Sequence, residues 1–342
     1  MTVRCDWRKG NCAKLNNRIE WIDALKGFAI LTVVIGHCAD GILSAGMYSQ
    51  YKFELQALYD AIYSFHMPLF FIVSGFVFWL SKSYTKYKSK VFDFMIVYLI
   101  WDFLTWLVKF LLGAKVNKQV GFEELLGIFY HPIAPMWYLY VLIIFYLIFS
   151  VLNIKKVTFP VVTLCGVVAI VSKIMNLNIG VINQLLYHAY FFIMGGYIVQ
   201  TKLYTKLKTP HVCMSCMVLA FNIYLYFNHV MIGVYVNAFK IFVVANIASL
   251  ICFYAIAKMK VYEVLKVMGE NTLQIYVIHC FVTAGLRLVF KVAGINSLLL
   301  YMVVGTILGV LIPVFIAKFC TRIYCLNFVF QPTKTIQRLR SC

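Results

Sequence analysis

Continuous apolar runs of about 20 residues recur along this chain, and nearly all of its lysines and arginines fall between them. That pattern leaves few folds open. A run of about 20 apolar residues is what a helix needs to cross the hydrocarbon core. Within that core only helices and closed barrels satisfy their own backbone. A barrel would be written as shorter segments alternating in polarity, and these runs do not alternate. Only 13% of the 342 residues are charged, about half the share of a soluble domain, and the mean hydropathy is +0.86. The expected class is all-α, a polytopic membrane protein.

We place ten transmembrane helices at 22–43, 57–80, 91–112, 135–153, 157–175, 183–200, 211–228, 236–257, 268–290 and 297–321. Lysine and arginine accumulate in cytoplasmic loops. The N-terminal tail, the even-numbered connections and the C-terminus hold 21 of them, against 4 in the odd-numbered connections. Both termini are therefore expected in the cytoplasm, as an even span count requires. The domain reading is a basic cytoplasmic tail at 1–21, a single ten-helix membrane domain at 22–325 and a basic cytoplasmic tail at 326–342. No cleavable leader is evident, so the first helix is expected to be retained. The location is the cell (inner or cytoplasmic) membrane, with membrane lipids as partners. The longest loop, about 113–134, falls outside. A net charge of +19 raises nucleic acid as a partner. The basic residues are dispersed between apolar segments and form no single patch, so that partner is excluded. The eleven cysteines lie mostly in apolar runs. Cys213 and Cys216 form C-x-x-C without a second pair or a histidine at ligand spacing, so they read as packing residues.

The first span is where the chemistry starts. Arg18–Gly41 reads R-I-E-W-I-D-A-L-K-G-F-A-I-L-T-V-V-I-G-H-C-A-D-G. Each ionisable group near mid-bilayer costs about 2.5–3.5 kcal/mol on insertion scales, so such groups face protein or water and mark function. Lys26 and His37 are eleven residues apart, about three turns plus 20°, and share one helix face about 16 Å apart along the axis. Topology puts Lys26 near the cytoplasmic end and His37 in the outer half. Histidine titrates near neutral pH, which suits a general base acting on a hydroxyl. Lys26 either serves the site or snorkels to headgroups, and Asp23 is one turn away for an i, i+3 pair. Asp40 reads as a solvated end residue.

Other candidates follow by depth. His66 in F-H-M-P-L-F-F lies in the outer half of span two, beside Pro68, which frees a backbone carbonyl. His279 is near the middle of span nine, with Asn271 near its inner end. Asp102 sits mid-span in span three, as a buried hydrogen-bond partner or as part of a site. Trp137 and Tyr138 open span four. His188, flanked by Tyr187 and Tyr190, reads as packing. The loop Ser81–Lys90, with Lys82 and Lys86, is the densest basic connection and a natural mouth for an anionic cofactor. No metal site is expected, because no H-x-x-H or H-x-x-x-H pair exists.

These motifs resemble the membrane-bound acyltransferase 3 superfamily, nearest its fucose 4-O-acetylase-like and polysaccharide O-acetyltransferase branch. W-I-D-A-L-K-G-F-A-I-L-T-V-V-I-G-H is similar to the family's first helix, in which a basic residue, ten residues and a histidine recur. S-F-H-M-P-L-F-F-I-V-S-G-F (Ser64–Phe76) is similar to its second helix. Met136–Leu139 and Gly269–Phe281, which includes Tyr276, look like its later W-Y/F-L and I-Y-x-x-H segments. The chain departs from the branch in two places. Ser81–Lys90 holds lysines and no arginine where an R-x-x-R motif recurs, and Val97 stands where a proline often precedes the third-helix tyrosine.

The resemblance implies transfer of an acyl group, usually acetyl, from acyl-CoA to a carbohydrate hydroxyl, with His37 taking part directly and Lys26 supporting binding or charge. The expected function is therefore an integral membrane O-acyltransferase. Acetyl-CoA is the donor, a surface polysaccharide or its lipid-linked precursor is the acceptor, and glycan assembly proteins are potential partners. His37, His66 and His279 are the catalytic candidates. Lys26, Asp23, Asp102, Trp137, Tyr138, Asn271, Tyr276, Lys82 and Lys86 are the substrate and cofactor candidates. The alternative is a secondary transporter or flippase for a small anion or lipid-linked sugar, since intramembrane charges and broken helices suit transport as well. A third reading is a scaffold for glycan assembly.

Overall fold

The computed structural model describes residues 20–341 except 82–83, 114–116, 118, 155, 176–178, 207–208, 211–212, 215–216, 218–233 and 259–262. Among the described residues the chain is helical and holds no strand. The helices are α1 (Glu20–Ser44), α2 (Lys52–Ser81), α3 (Tyr84–Leu112), α4 (Phe122–Gly127), α5 (Trp137–Val151), α6 (Phe159–Met175), α7 (Val181–Thr201), α8 (Leu203–Lys206), α9 (Val234–Lys258), α10 (Glu263–Glu270), α11 (Thr272–Val292), α12 (Leu298–Arg322), α13 (Tyr324–Asn327) and α14 (Pro332–Ser341).

Five of these elements are long and apolar enough to cross a membrane: Glu20–Ser44, Ser49–Ser81, Tyr87–Leu112, Thr272–Val292 and Leu298–Cys320. Helices also occupy the expected spans four, five, six and eight. α5 and α6 are short, at 15 and 17 residues. α7 is long enough, but Asn183, Gln184 and His188 dilute its apolar character. Of span seven only Cys213, Met214 and Met217 are described, all helical and exposed. Two expectations change. The ninth span does not run unbroken from 268. Asn271, with φ −110° and ψ 22°, separates α10 from α11. The long loop also contains the short helix α4, whose Gly121 N–H donates to Glu124 Oε2 at 2.7 Å. Pro68, by contrast, does not interrupt α2.

α12 shows how its sequence suits a bilayer. Leu299, Val303, Ile307, Leu311 and Phe315 recur every fourth residue on one exposed stripe, while Tyr301, Val310, Val314 and Ala317 are buried. In water such a stripe would invite aggregation, whereas against lipid tails it carries no penalty.

The chain folds as two compact units, and the long helices α1 and α2 contribute one end to each. The first unit comprises Met1–Ala29, Ala61–Lys82 and Asn153–Glu270. It is built on backbone-to-backbone approaches that only glycine permits. A side chain on Gly27 would collide with the Leu265 carbonyl, and one on Gly269 with the Asp23 carbonyl, so α1 and α10 touch at two points. Gly75 on α2 meets the Phe192 carbonyl, and Gly195 on α7 meets the Ile72 carbonyl. Without a hydrophobic drive between helices in lipid, close approach at small residues is what holds them together. α6 packs on α7 and α9, with Tyr190 Oη donating to Asn246 Oδ1 at 2.9 Å.

The second unit comprises Ile30–Asp60, Ser83–Leu152 and Asn271–Cys342. α11 and α12 form its most extensive pair, with Tyr301 Oη donating to the Thr283 carbonyl at 3.1 Å. Gly305 and Gly309 of α12 bring it against Cys38 and Val34 of α1. α14 docks on α3, where Asp93 Oδ1 accepts from the Thr333 N–H at 2.7 Å and caps the helix N-terminus. The Trp101 indole donates to the Val329 carbonyl at 3.2 Å.

Candidate active site

Within the second unit, α1 and α11 bring His37 and His279 together. Their ring centroids lie 5.0 Å apart. The two residues are 242 positions apart in sequence, so the fold alone makes this pair. His279 is fully buried, while His37 is part-exposed. His279 Nδ1 lies 2.8 Å from the Ile275 carbonyl one turn back. A carbonyl only accepts, so Nδ1 carries the proton and the neutral ring presents its Nε2 lone pair. That lone pair lies 3.3 Å from Cys280 Sγ, within the reach of a thiol donor.

His37, His279 and Cys280 also form a group whose ligand-type atoms lie within 4.8 Å of one another. The donor types would suit zinc. A tetrahedral shell with bonds of about 2.0–2.3 Å holds its donors roughly 3.3–3.8 Å apart, so the trio would have to contract. The short thiol–imidazole contact reads more simply as a hydrogen bond.

Charged groups frame this cluster. Arg287 and Asp40 lie within electrostatic range of each other, and both are in range of Cys280, as is Lys109. The Arg287 guanidinium crosses α1 at Gly41, where a side chain would meet it. It donates to Asn117 Oδ1 at 3.4 Å, and Asn117 donates to the Gly41 carbonyl at 3.4 Å. Lys109 Nζ donates to the Ala134 carbonyl at 3.2 Å. The sequence reading left Cys280, Arg287, Lys109 and Asn117 out of the site. The signals available were Arg287 and Lys109 inside apolar spans and a cysteine directly after His279.

The remaining candidates separate into two groups. Tyr276 and Tyr138 stay with the second unit, ring edge to face at 5.6 Å, and the Tyr276 hydroxyl donates to the Pro135 carbonyl. Trp137 opens α5, and Asn271 is the N-cap residue of α11. Asp102 is fully buried. It accepts from the Ile133 N–H at 3.1 Å and so anchors the approach to α5, while its other oxygen lies 3.4 Å from the Tyr98 hydroxyl, whose one proton goes to the closer Ile128 carbonyl.

His66, Lys26 and Asp23 belong to the first unit. His66 is buried, donates its Nδ1 proton to the Ile62 carbonyl at 2.7 Å and faces Tyr63 edge-on. Lys26 Nζ pairs with Asp23 at 3.1 Å, the i, i+3 contact expected for them. One turn before that pair, Glu20 meets Lys266 of α10 at 2.9 Å, and Lys266 also pairs with Glu263 at 3.5 Å. His188 is packed against Phe71 and Tyr187, with Nδ1 on the Gln184 carbonyl at 2.9 Å. Lys82 lies outside the described residues. Lys86 falls in α3, and its side chain lies outside the described ones.

The arrangement in the second unit offers a buried imidazole base fixed in one tautomer, a second imidazole beside it and a thiol on its lone pair. Those are the elements of proton transfer and of nucleophilic chemistry at a carbonyl.

Comparison with known proteins gives the family. The profile of the family described as "Acyltransferase domain" (Acyl_transf_3) matches residues 19–318. Two proteins named "Nodulation protein NolL" are similar in part. The one from Mesorhizobium japonicum is 29% identical over 150 residues, 42% of this chain and 39% of its own. The one from Sinorhizobium fredii is 29% identical over 202 residues, 56% of this chain and 52% of its own. The chain thus spans about half the length, or less, of the curated relatives it matches. No solved structure matches. With the profile running from the start of α1 into the last turns of α12, this chain belongs to the acyltransferase 3 family.

Proposed function

We propose that the chain is an integral membrane O-acyltransferase that moves an acetyl group from acetyl-CoA to a hydroxyl of a surface polysaccharide or its lipid-linked precursor. It spans the cell membrane about ten times with both termini in the cytoplasm. Acetyl-CoA approaches from the cytoplasmic face, where Lys26, Lys82 and Lys86 supply positive charge. The acceptor reaches the second unit. His37 takes the acceptor hydroxyl proton as that oxygen attacks the acyl carbonyl. His66, in the first unit, is a further candidate for substrate binding or proton transfer.

The observation that carries this reading is the His37–His279 pair at 5.0 Å, with the His279 tautomer fixed by the Ile275 carbonyl. A general base of this kind contributes about 10²–10⁴-fold to rate. In cells making the glycan, His37→Ala is therefore expected to cut O-acetyl ester content by at least about 10²-fold at normal insertion, as read by mass spectrometry of the glycan. Full acetylation by a normally inserted His37→Ala chain would remove His37 from the site.

A further inference from the structure

Cys280 stands at the one point of the site where a nucleophile, a base and an orienting group line up. Its Sγ is 3.3 Å from His279 Nε2, and His279 Nδ1 is 2.8 Å from the Ile275 carbonyl. The carbonyl holds the proton on Nδ1, so Nε2 is the acceptor and the thiol is the donor. Nucleophile, base within hydrogen-bond reach and a third group orienting the base are the marks of covalent catalysis. Cysteine is also intrinsically the best nucleophile among side chains of this kind. Exposure fits the same roles. The base is fully buried, while Cys280 and His37 beside it are both part-buried. Cys38, the other thiol in this neighbourhood, is fully buried against Gly305 and is not reachable.

Resting on the acyltransferase reading above, we propose that Cys280 carries the acyl group as a thioester between acyl-CoA and the acceptor. In the first half-reaction the Cys280 proton passes to His279 Nε2 as Sγ attacks the acyl carbonyl. The bond from that carbonyl to the CoA sulfur breaks, and the departing sulfur takes the proton from His279. One thioester replaces another, so no external energy source or redox partner is needed. In the second half-reaction His37 takes the acceptor hydroxyl proton, and the oxygen attacks the Cys280 thioester. Sγ leaves and recovers its proton from the imidazole pair. The sum is acyl-CoA plus alcohol giving ester plus free CoA. The route also removes a spatial demand, because CoA and acceptor need not occupy the histidines at the same time.

The test uses the full chain in lipid nanodiscs with acetyl-labelled acetyl-CoA and no acceptor. The expected result is one acetyl group on the peptide containing Cys280, released by neutral hydroxylamine. In His37→Ala the label is expected to accumulate, because loading survives while transfer stops. Cys280→Ala is expected to take no label and to lose transfer. Cys280→Ser is expected to lose transfer or to trap acetyl as a stable oxygen ester. A readout that needs no variant is alkylation of the wild-type chain, where prior acetyl-CoA protects Cys280. A Cys280→Ala chain that acetylates acceptor at the wild-type rate overturns the thioester and leaves the acyltransferase reading standing, as does wild-type turnover with label on no cysteine. A wild-type chain that takes no label and acetylates no acceptor overturns both.

Discussion

Three buried histidines, His66, His188 and His279, each donate Nδ1–H to the carbonyl four residues back in their own helix. The device fixes each tautomer and leaves each Nε2 as a lone pair, so the local geometry is the same for a packing residue and for a base. What differs is the surroundings. His188 packs against Phe71, Tyr187 and Phe191 with Lys173 and His66 in electrostatic range, whereas His279 lies against a thiol and a second imidazole. His37 and His279 were legible in the sequence because an ionisable group inside an apolar run is expensive. Cys280 was not, because cysteine is an unremarkable apolar residue in such a run and only the fold sets it on the base. Asp102 shows the opposite case. The sequence left it between site and packing, and in the fold it holds the buried Ile133 N–H. Asp102→Ala should strip the buried Ile133 N–H of its partner and cost about 1–3 kcal/mol, visible as a lower unfolding temperature in detergent. Asp102→Asn keeps an oxygen for that N–H and should retain most of the stability. An unchanged melting temperature in Asp102→Ala with transfer abolished would instead move Asp102 into the site.

At the scale of elements, the existence of the helices was written in the apolar runs, and their ends and breaks were not. The break at Asn271 divides what hydropathy joined, because Gly269 must lie against the Asp23 backbone while α11 starts afresh beyond it. Pro68 gave the reverse surprise. It frees a carbonyl yet leaves α2 continuous, since the loss of one hydrogen bond need not end a helix held on both sides by its neighbours. Glycine carries the tightest contacts. Gly75 and Gly195 set the α2–α7 approach from both sides, and a side chain at either would collide with opposing backbone. Gly75→Val is expected to destabilise by about 1–3 kcal/mol or more through forced separation of the two helices, measured as a lower thermal midpoint in detergent. Gly285, with open space around it, is the matched control, and Gly285→Ala should be neutral or slightly stabilising. A Gly75→Val chain as stable as the wild type would show that the α2–α7 contact does not set the outcome.

At the scale of the whole molecule, composition fixed the class early and the family match agrees with it. The span count rests on the apolar runs, and orientation rests on the distribution of lysine and arginine, a property of the loops that no helix geometry reports. The division into two units was not legible at all. It cuts α1 between Ala29 and Ile30 and α2 between Asp60 and Ala61, inside apolar runs that carry no compositional boundary. Lys26 and His37, one motif in the sequence, therefore serve different units through one helix. The central claim is that this chain makes an ester, and that it does more than move a solute. The direct measurement is labelled acetyl-CoA presented to the purified chain in sealed vesicles that hold a polysaccharide or lipid-linked sugar acceptor. The account predicts hydroxylamine-labile acetyl ester on the acceptor, together with free CoA, both lost in His37→Ala. Passage of label or sugar across the vesicle membrane with no ester formed would contradict it and identify a transporter.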